Sequence, residues 1–439
     1  MHAFNPLYRN SKQKTVMPET KSDQVLNTAD PRWREIPWEQ ALEAASPTVA
    51  NILDKALAGK DLDEADGLTL SGAVDEDLLA TLKIANELRR RAVGDQVTYV
   101  VNRNLNFTNV CIVGCAFCGF GRSPRSPDAY FHSTESLVAK AVEAVERGAT
   151  EVCIQGGLPR DLDGAYYVHL LRSIKSCLPQ LHLHAYSPME IVYGVEKTGM
   201  SLPQYLRMLK EAGLGSIPGT AAEILDDKVR EVLSPNKLRV RQWIDVIRTA
   251  HELGIPSTST MMYGHVELPQ HWVGHLLLLR EIQMETGGFT EFVPLGFIHS
   301  QTRLFRTGRA RAGSSLREHL LVHALARLLL NGHVKHIQVS WVKLGFAVAL
   351  ACLEVGANDF GGTLMEESIS KAAGSAFGES VSAGELRALI RTIGRMPAER
   401  TTTYKIRQIF EHADAGESLP PERMAAHPGN AVVRDPVRY

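Results

Sequence analysis

The chain has only 6 cysteines in 439 residues, far too few for a disulfide scaffold, so clustered cysteines are expected to be ligands before cystines. Neither sign of charge prevails. Lys and Arg number 48 against 49 Asp and Glu, for a net charge of −1, and no basic excess points to a nucleic-acid partner. Long apolar runs are missing too. The longest, residues 344–353, falls well short of the roughly 20 residues a membrane span needs. The opening Met1-His2-Ala3-Phe4-Asn5 has no apolar h-region and no small-residue cleavage site. The expectation is a soluble, cytoplasmic protein without membrane or nucleic-acid partners.

An ordinary globular balance is present, 44% hydrophobic and 22% charged. Residues 1–45 lack periodicity and read as a loosely ordered leader. Residues 46–95 read as a helical cap, with Leu78, Leu79, Leu82, Ile84 and Leu88 as its apolar stripe. Beyond it one unit recurs: an amphipathic helix, a glycine, then a short β-branched or apolar run. Such runs stand near 99–104, 151–155, 181–186, 216–218, 257–262, 289–293, 335–340 and 357–358. Eight alternating units predict an α/β fold, a closed (β/α)8 barrel over 96–374, with an open doubly wound sheet as the competitor. Residues 375–439 read as a C-terminal extension packing on the barrel.

In a barrel, chemistry is expected beyond the C-terminal ends of the strands. That directs attention to Gln155, His184, Tyr186, Glu223, Tyr263, His265, Glu291, His299, Gln338, Ser340, Asn358 and Asp359, several of them expected to be merely buried and satisfied. In the loop after the first strand stand Cys111, Cys115 and Cys118, spaced C-x3-C-x2-C. Three thiolates on one short loop can hold three corners of an iron–sulfur cubane. A structural zinc would want a fourth ligand, for which His132 is the candidate. Cys153, Cys177 and Cys352 read as core packing.

The spacing, with Phe117 before the last cysteine, resembles the signature of the radical S-adenosylmethionine (SAM) superfamily. The resemblance implies a 4Fe–4S cluster held by Cys111, Cys115 and Cys118, with one iron open to S-adenosyl-L-methionine. Gln155-Gly156-Gly157 and the segment 215–223 (GSIPGTAAE), which ends in Glu223, resemble that superfamily's cofactor contacts. So Gln155, Gly156, Gly157, Glu223 and Phe117 are expected at the cofactor.

Segments 102–109 (NRNLNFTN), 262–271 (MYGHVELPQH), 287–295 (GGFTEFVPL), 340–345 (SWVKLG) and 357–367 (ANDFGGTLMEE) resemble a narrower branch. It is the tyrosine-using family of deazaflavin (Fo, the coenzyme F-420 precursor) biosynthesis, the 5-amino-6-(D-ribitylamino)uracil–L-tyrosine 4-hydroxyphenyl transferases. This resemblance implies a transferase that fragments L-tyrosine and adds its 4-hydroxybenzyl group to 5-amino-6-(D-ribitylamino)uracil. It also implies an external electron donor and a separate second radical SAM enzyme, a deazariboflavin synthase, for ring closure. His265, Glu291, Tyr186 and His299 are the candidates for substrate contact. Aminofutalosine synthase and cyclic dehypoxanthine futalosine synthase of menaquinone biosynthesis are the nearest alternatives. A barrel keeping its cluster for electron transfer or as a scaffold is the alternative of another class.

Overall fold

The computed structural model describes residues 32–420. Most of the expected leader lies outside these residues. Its last part is already helical, over Arg32–Glu35 and Trp38–Ala44, and Ala41 is buried. Helices Pro47–Leu57, Glu64–Ser71 and Asp75–Val93 follow. They form the expected cap, whose stripe includes the fully buried Leu78, Leu82 and Ile84.

The barrel is legible strand by strand. Its first strand comes in two pieces, β1 (Gln96–Val100) and β2 (Asn102–Leu105). It is followed by β3 (Glu151–Ile154), β4 (His182–Ala185), β5 (Ser257–Tyr263), β6 (Phe289–Gly296) and β7 (Asp359–Gly362). β2 pairs in parallel with β3, β3 with β4, β5 with β6, and β7 with β1. The two remaining places are taken by single parallel bridges. Ser216 joins His184 and Ile217 joins Ser257; Ile337 joins Phe292 and Gln338 joins Asp359. The ring of eight parallel staves is therefore closed. That excludes the open sheet and agrees with the spacing of the apolar runs.

Helices pack outside the ring on amphipathic faces. Helix Val240–Glu252 turns Trp243, Ile244, Val246, Ile247 and Ala250 inward, and each large apolar side chain so buried contributes about 1.5–3 kcal/mol. Helix Pro188–Thr198 begins with a capping box, Ser187 with Glu190, and ends at Gly199 in the left-handed region (φ 68°).

The C-terminal extension does more than cover the outside. Strand β8 (Met396–Arg400) runs parallel to β1, pairing Gln96 with Met396 and Tyr99 with Glu399. An antiparallel hairpin then leads to β9 (Ile406–Ile409). β8 thus wedges against the N-terminal half of the first stave and carries Arg400 and Tyr404 under the barrel. Arg400 is buried against Asp359 of β7, and the half-buried Tyr404 donates to Glu291 of β6.

Candidate functional site

The cysteine loop leaves the end of β2 and is fastened on several sides. The amide of Cys111 donates to Arg122 O (3.0 Å) and that of Arg122 to Asn109 O (2.7 Å), closing the loop on itself. The Ile112 amide donates to Leu158 O (2.9 Å), and that of Gly157 to Thr108 O (2.8 Å). Ala116 is held twice, donating to Leu233 O and accepting from the Leu304 amide, each at 2.8 Å. Loops following three further staves thus grip the segment that carries the thiols.

Glycines decide these approaches. A Cβ on Gly157 would stand 2.2 Å from Val110 O, and one on Gly156 2.5 Å from the Phe107 ring. The Gly-Gly turn is therefore a packing requirement of the cysteine loop as well as an open backbone. Gly121 lies between two of the ligand candidates. Its amide donates to Cys118 Sγ (3.4 Å), and a Cβ there would be 3.5 Å from Cys111 Cβ. Gly119 abuts Ala373, 2.5 Å from a Cβ position.

All three thiols are free and half-buried. Burial pushes the Cys115 thiol up to about 12, with Glu223, Cys118 and Cys111 acting in the same direction and Lys237 against them. Mutual repulsion among three neighbouring thiolates is what a cationic cluster would relieve. Among the described residues no group of three or more His, Cys, Asp or Glu could hold a metal ion. A cubane does not ask for that, since its thiolates bind separate irons. The donor set fits such a cluster: three soft thiols, one loop, and an amide already directed at Cys118 Sγ.

Two expected cofactor contacts meet beside this loop. Gln155 Nε2 donates to Thr220 Oγ1 (2.6 Å). Glu223, in a left-handed conformation (φ 41°), accepts from Lys237 Nζ (2.6 Å) and lies 3.4 Å from Arg230 Nη1. Lys237 Nζ also sits 5.3 Å over the Phe117 ring. Burial opposes the Lys237 charge, but Glu223 and Cys115 outweigh it and its pKa is raised. Behind the turn, Glu190 Oε1 accepts from the Gly156 amide (3.0 Å) while Oε2 takes the amide and hydroxyl of Ser187. Burial raises its carboxyl to about 7. Neither Lys237 nor Glu190 was marked by the sequence, because a loop lysine and an N-terminal helix glutamate are ordinary surface patterns.

The four residues expected at the substrate separate widely. Glu291 is the third residue of β6, near the end remote from the cysteines, and it accepts from Tyr404 Oη and faces Arg400 Nη2 at 3.4 Å. It belongs to the barrel floor, not the mouth. Tyr186 (φ 64°) turns its hydroxyl outward to Tyr167 O (2.8 Å) and its ring onto that of Tyr167. It is therefore a packing residue behind the mouth. His265 follows β5 with a fully enclosed ring, Nδ1 2.9 Å from Glu267 Oε2 and Nε2 2.9 Å from Met262 O. Glu267 also accepts from the Gly264 and His265 amides and from Trp272 Nε1, and pairs with Arg311. Although burial pushes its carboxyl up, His265 and Arg311 hold it far below the usual range. His299 alone keeps an accessible ring on a loop touching the cysteine segment, between Phe305 (4.4 Å) and Gly313.

Other polar candidates are structural. Tyr263 Oη reaches His319 Nδ1 (2.8 Å) in the helix layer, His184 Nδ1 reaches Ser216 Oγ (2.6 Å), and Asn358 Oδ1 accepts from Ile337 N and Arg327 Nη2. His132 lines a cavity of about 140 Å³ with Asn104, Asn106, Tyr130, Lys140 and Glu366. Cys352 is core as expected, but Cys177 is exposed at the end of its helix.

Comparison with known proteins places this geometry. Residues 105–279 match the radical SAM superfamily, and residues 286–413 match the CofH/MqnC C-terminal region. The chain is 53% identical over 340 residues to an FO synthase of Mycobacterium leprae, covering 77% of this chain and 39% of that protein. It therefore spans about two fifths of the length of such relatives. It is 49% identical over 335 residues to the 5-amino-6-(D-ribitylamino)uracil–L-tyrosine 4-hydroxyphenyl transferase of Methanocaldococcus jannaschii, covering 76% of this chain and 93% of that protein. In fold it is similar to the FeFe-hydrogenase maturase HydG from Carboxydothermus hydrogenoformans, with a TM-score of 0.66, 16% identity, and coverage of 87% and 86%. The chain belongs to the radical SAM superfamily, in the family of the 5-amino-6-(D-ribitylamino)uracil–L-tyrosine 4-hydroxyphenyl transferases.

Proposed function

We propose that the protein transfers the 4-hydroxybenzyl group of L-tyrosine to 5-amino-6-(D-ribitylamino)uracil in deazaflavin (Fo) biosynthesis. The observation that carries the reading is the interlock of the cysteine loop with the Gly156-Gly157 turn, within a chain of this family. A 4Fe–4S cluster with bound S-adenosylmethionine would supply the 5′-deoxyadenosyl radical. Cys111, Cys115 and Cys118 would hold the cluster; Gln155, the Gly156-Gly157 turn, Phe117 and Glu223 would border the S-adenosylmethionine.

The chain's own contribution is containment. A benzylic radical must meet the pyrimidine before it meets water, so positioning and dryness matter more than acid–base strength. The closed ring of staves supplies the walls. The Arg400 and Tyr404 floor seals the bottom, and loops after several staves crowd the top. His299 is the side chain free to face a ligand there; His265 holds the turn after β5 in shape through Glu267. An external electron donor would reduce the cluster. Ring closure to the deazaflavin would fall to another radical SAM unit, since these residues carry a single cysteine triplet. Among the described residues no helix is long and apolar enough to cross a membrane.

The test is anaerobic reconstitution with iron and sulfide, followed by incubation with tyrosine, the ribitylaminouracil and a reductant. Tyrosine-dependent 5′-deoxyadenosine and an adduct carrying the 4-hydroxybenzyl mass are expected. Product from the menaquinone precursor instead, or no deoxyadenosine at all, would overturn the assignment.

A further inference from the structure

Lys343 occupies a place that its neighbours leave electrically unfinished. Beyond the Ile337-Gln338 stave the chain leaves the barrel and enters helix Trp341–Leu353, with Lys343 in its first turn. Gly345 breaks that helix (φ 73°, ψ 163°), so the turn before it is set apart from the outer-layer helix that follows. A Cβ on Gly345 would lie 2.8 Å from the Phe377 ring, which occupies the space. Lys343 Nζ donates to Ser370 Oγ (3.0 Å), in the short helix Ser368–Ala372 whose end abuts Gly119 of the cysteine loop. The ammonium thus stands against the short helix that backs the cysteine loop, and of the three thiols it is Cys118 that acts on its charge.

An ammonium carries three donors, and among the described residues Lys343 has this single hydroxyl partner and no carboxylate within 4 Å. Glu367 acts on the ammonium only from beyond ion-pair distance, its two oxygens sharing the Ser370 amide, and Glu366 pairs with Arg103 and Lys140. Burial pulls the Lys343 ammonium toward neutrality, with only Glu367 and Cys118 acting to keep its charge. A desolvated cation with spare donors and some accessible surface is stabilised most by an incoming anion.

We propose that Lys343 seats the α-carboxylate of an amino-acid ligand at the barrel mouth. This rests on the function proposed above. Of its three small ligands, tyrosine and S-adenosylmethionine carry an α-carboxylate and the ribitylaminouracil does not. Tyrosine is the expected occupant, because the methionyl carboxylate has the open iron as its own partner.

The reconstituted holoprotein and its K343M and K343R variants are compared in two titrations. The first follows 5′-deoxyadenosine release against tyrosine and against tyrosinol, which has an alcohol in place of the carboxylate. K343M should need at least tenfold more tyrosine for half-maximal release with its tyrosinol response unchanged, and K343R should recover most of the loss. The second follows the paramagnetic resonance of the reduced cluster against S-adenosylmethionine. A tenfold weakening there alone assigns the carboxylate to that ligand. Equal half-saturation by both ligands in K343M and the wild type overturns the proposal. Wild-type protein releasing no deoxyadenosine with tyrosine defeats the function reading instead, and the second titration then decides Lys343. K343Q repeats both measurements if K343M does not take up iron and sulfide.

Discussion

Arg400 grips Asp359 with two hydrogen bonds, Nε to Oδ2 at 2.5 Å and Nη2 to Oδ1 at 2.9 Å, and neither side chain reaches solvent. Thr98 Oγ1 donates to the same carboxylate, and Glu291 Oε2 lies 3.4 Å from the Nη2 that also bonds Asp359. The His336 ring stacks on Tyr404 at 3.6 Å and 11°. Together these side chains form a polar plug between four staves and the C-terminal hairpin.

Removing the guanidinium should therefore be expensive. Arg400→Met leaves Asp359 buried without its partner, and loss of about 3–5 kcal/mol is expected. Chemical denaturation should show it as a lower midpoint. A midpoint unchanged from the wild type would mean that the hairpin does not close the floor.

Serine at position 111, 115 or 118 should abolish both cluster uptake and deoxyadenosine release, because a hydroxyl is a poor ligand for iron in a sulfide cluster. Cys177→Ser, at an exposed thiol, should leave iron and sulfide content as it was. Turnover surviving any of the first three changes would remove the cluster from the mechanism.

Gly157→Ala places a methyl group 2.2 Å from Val110 O. Overpacking of this kind costs about 1–3 kcal/mol, and here the strain falls on the cysteine loop. Iron content should drop while the thermal midpoint of the apoprotein falls only slightly. Full cluster loading in this variant would show that the two loops tolerate separation.

Stability should fall as the solution is acidified from pH 7 to pH 5. Burial holds His275, His319 and His336 at about 3, and His184, His251 and His323 at about 4. In the unfolded chain a histidine takes its proton near 6.5. Below that the unfolded state binds more protons, and each such group weakens folding by up to about 1.4 kcal/mol per pH unit. Glu190 and Glu291, each raised to about 7 by burial, act oppositely, since their folded forms hold a proton that the unfolded chain releases above about 4.5. Six groups outweigh two. Urea midpoints measured across this range should decline, less steeply in His275→Asn; a flat curve would contradict the neutral buried histidines.

Much of this was readable in the chain itself. The eight staves lie within a few residues of the apolar runs, and the cysteine loop stands where a barrel places chemistry. Depth along a stave was not readable. Alternation tells which side of a sheet a residue faces, not how far from either end it lies, so Glu291 looked like a ligand contact and proved to be floor. Tyr186 misled for a related reason: its left-handed backbone sends the side chain outward, against what a strand would do. The Arg400–Asp359 pair joins elements whose pairing no periodicity announces. Lys343 sits in a segment noticed for its likeness to relatives, but only the folded chain reveals that no carboxylate among the described residues comes within ion-pair distance of it.

The position of β8 also fixes an order of events. Gln96 and Thr98 pair with Met396 and Ala398, so the lower half of the first stave cannot acquire its β8 partner until some 300 further residues have been made. A ribosome delivering residues from the N-terminus leaves the vessel bottomless until Arg400 and Tyr404 emerge. Iron and sulfide handed to the nascent cysteine loop would sit in an open, wet trough; loading belongs after synthesis, when the container has its base.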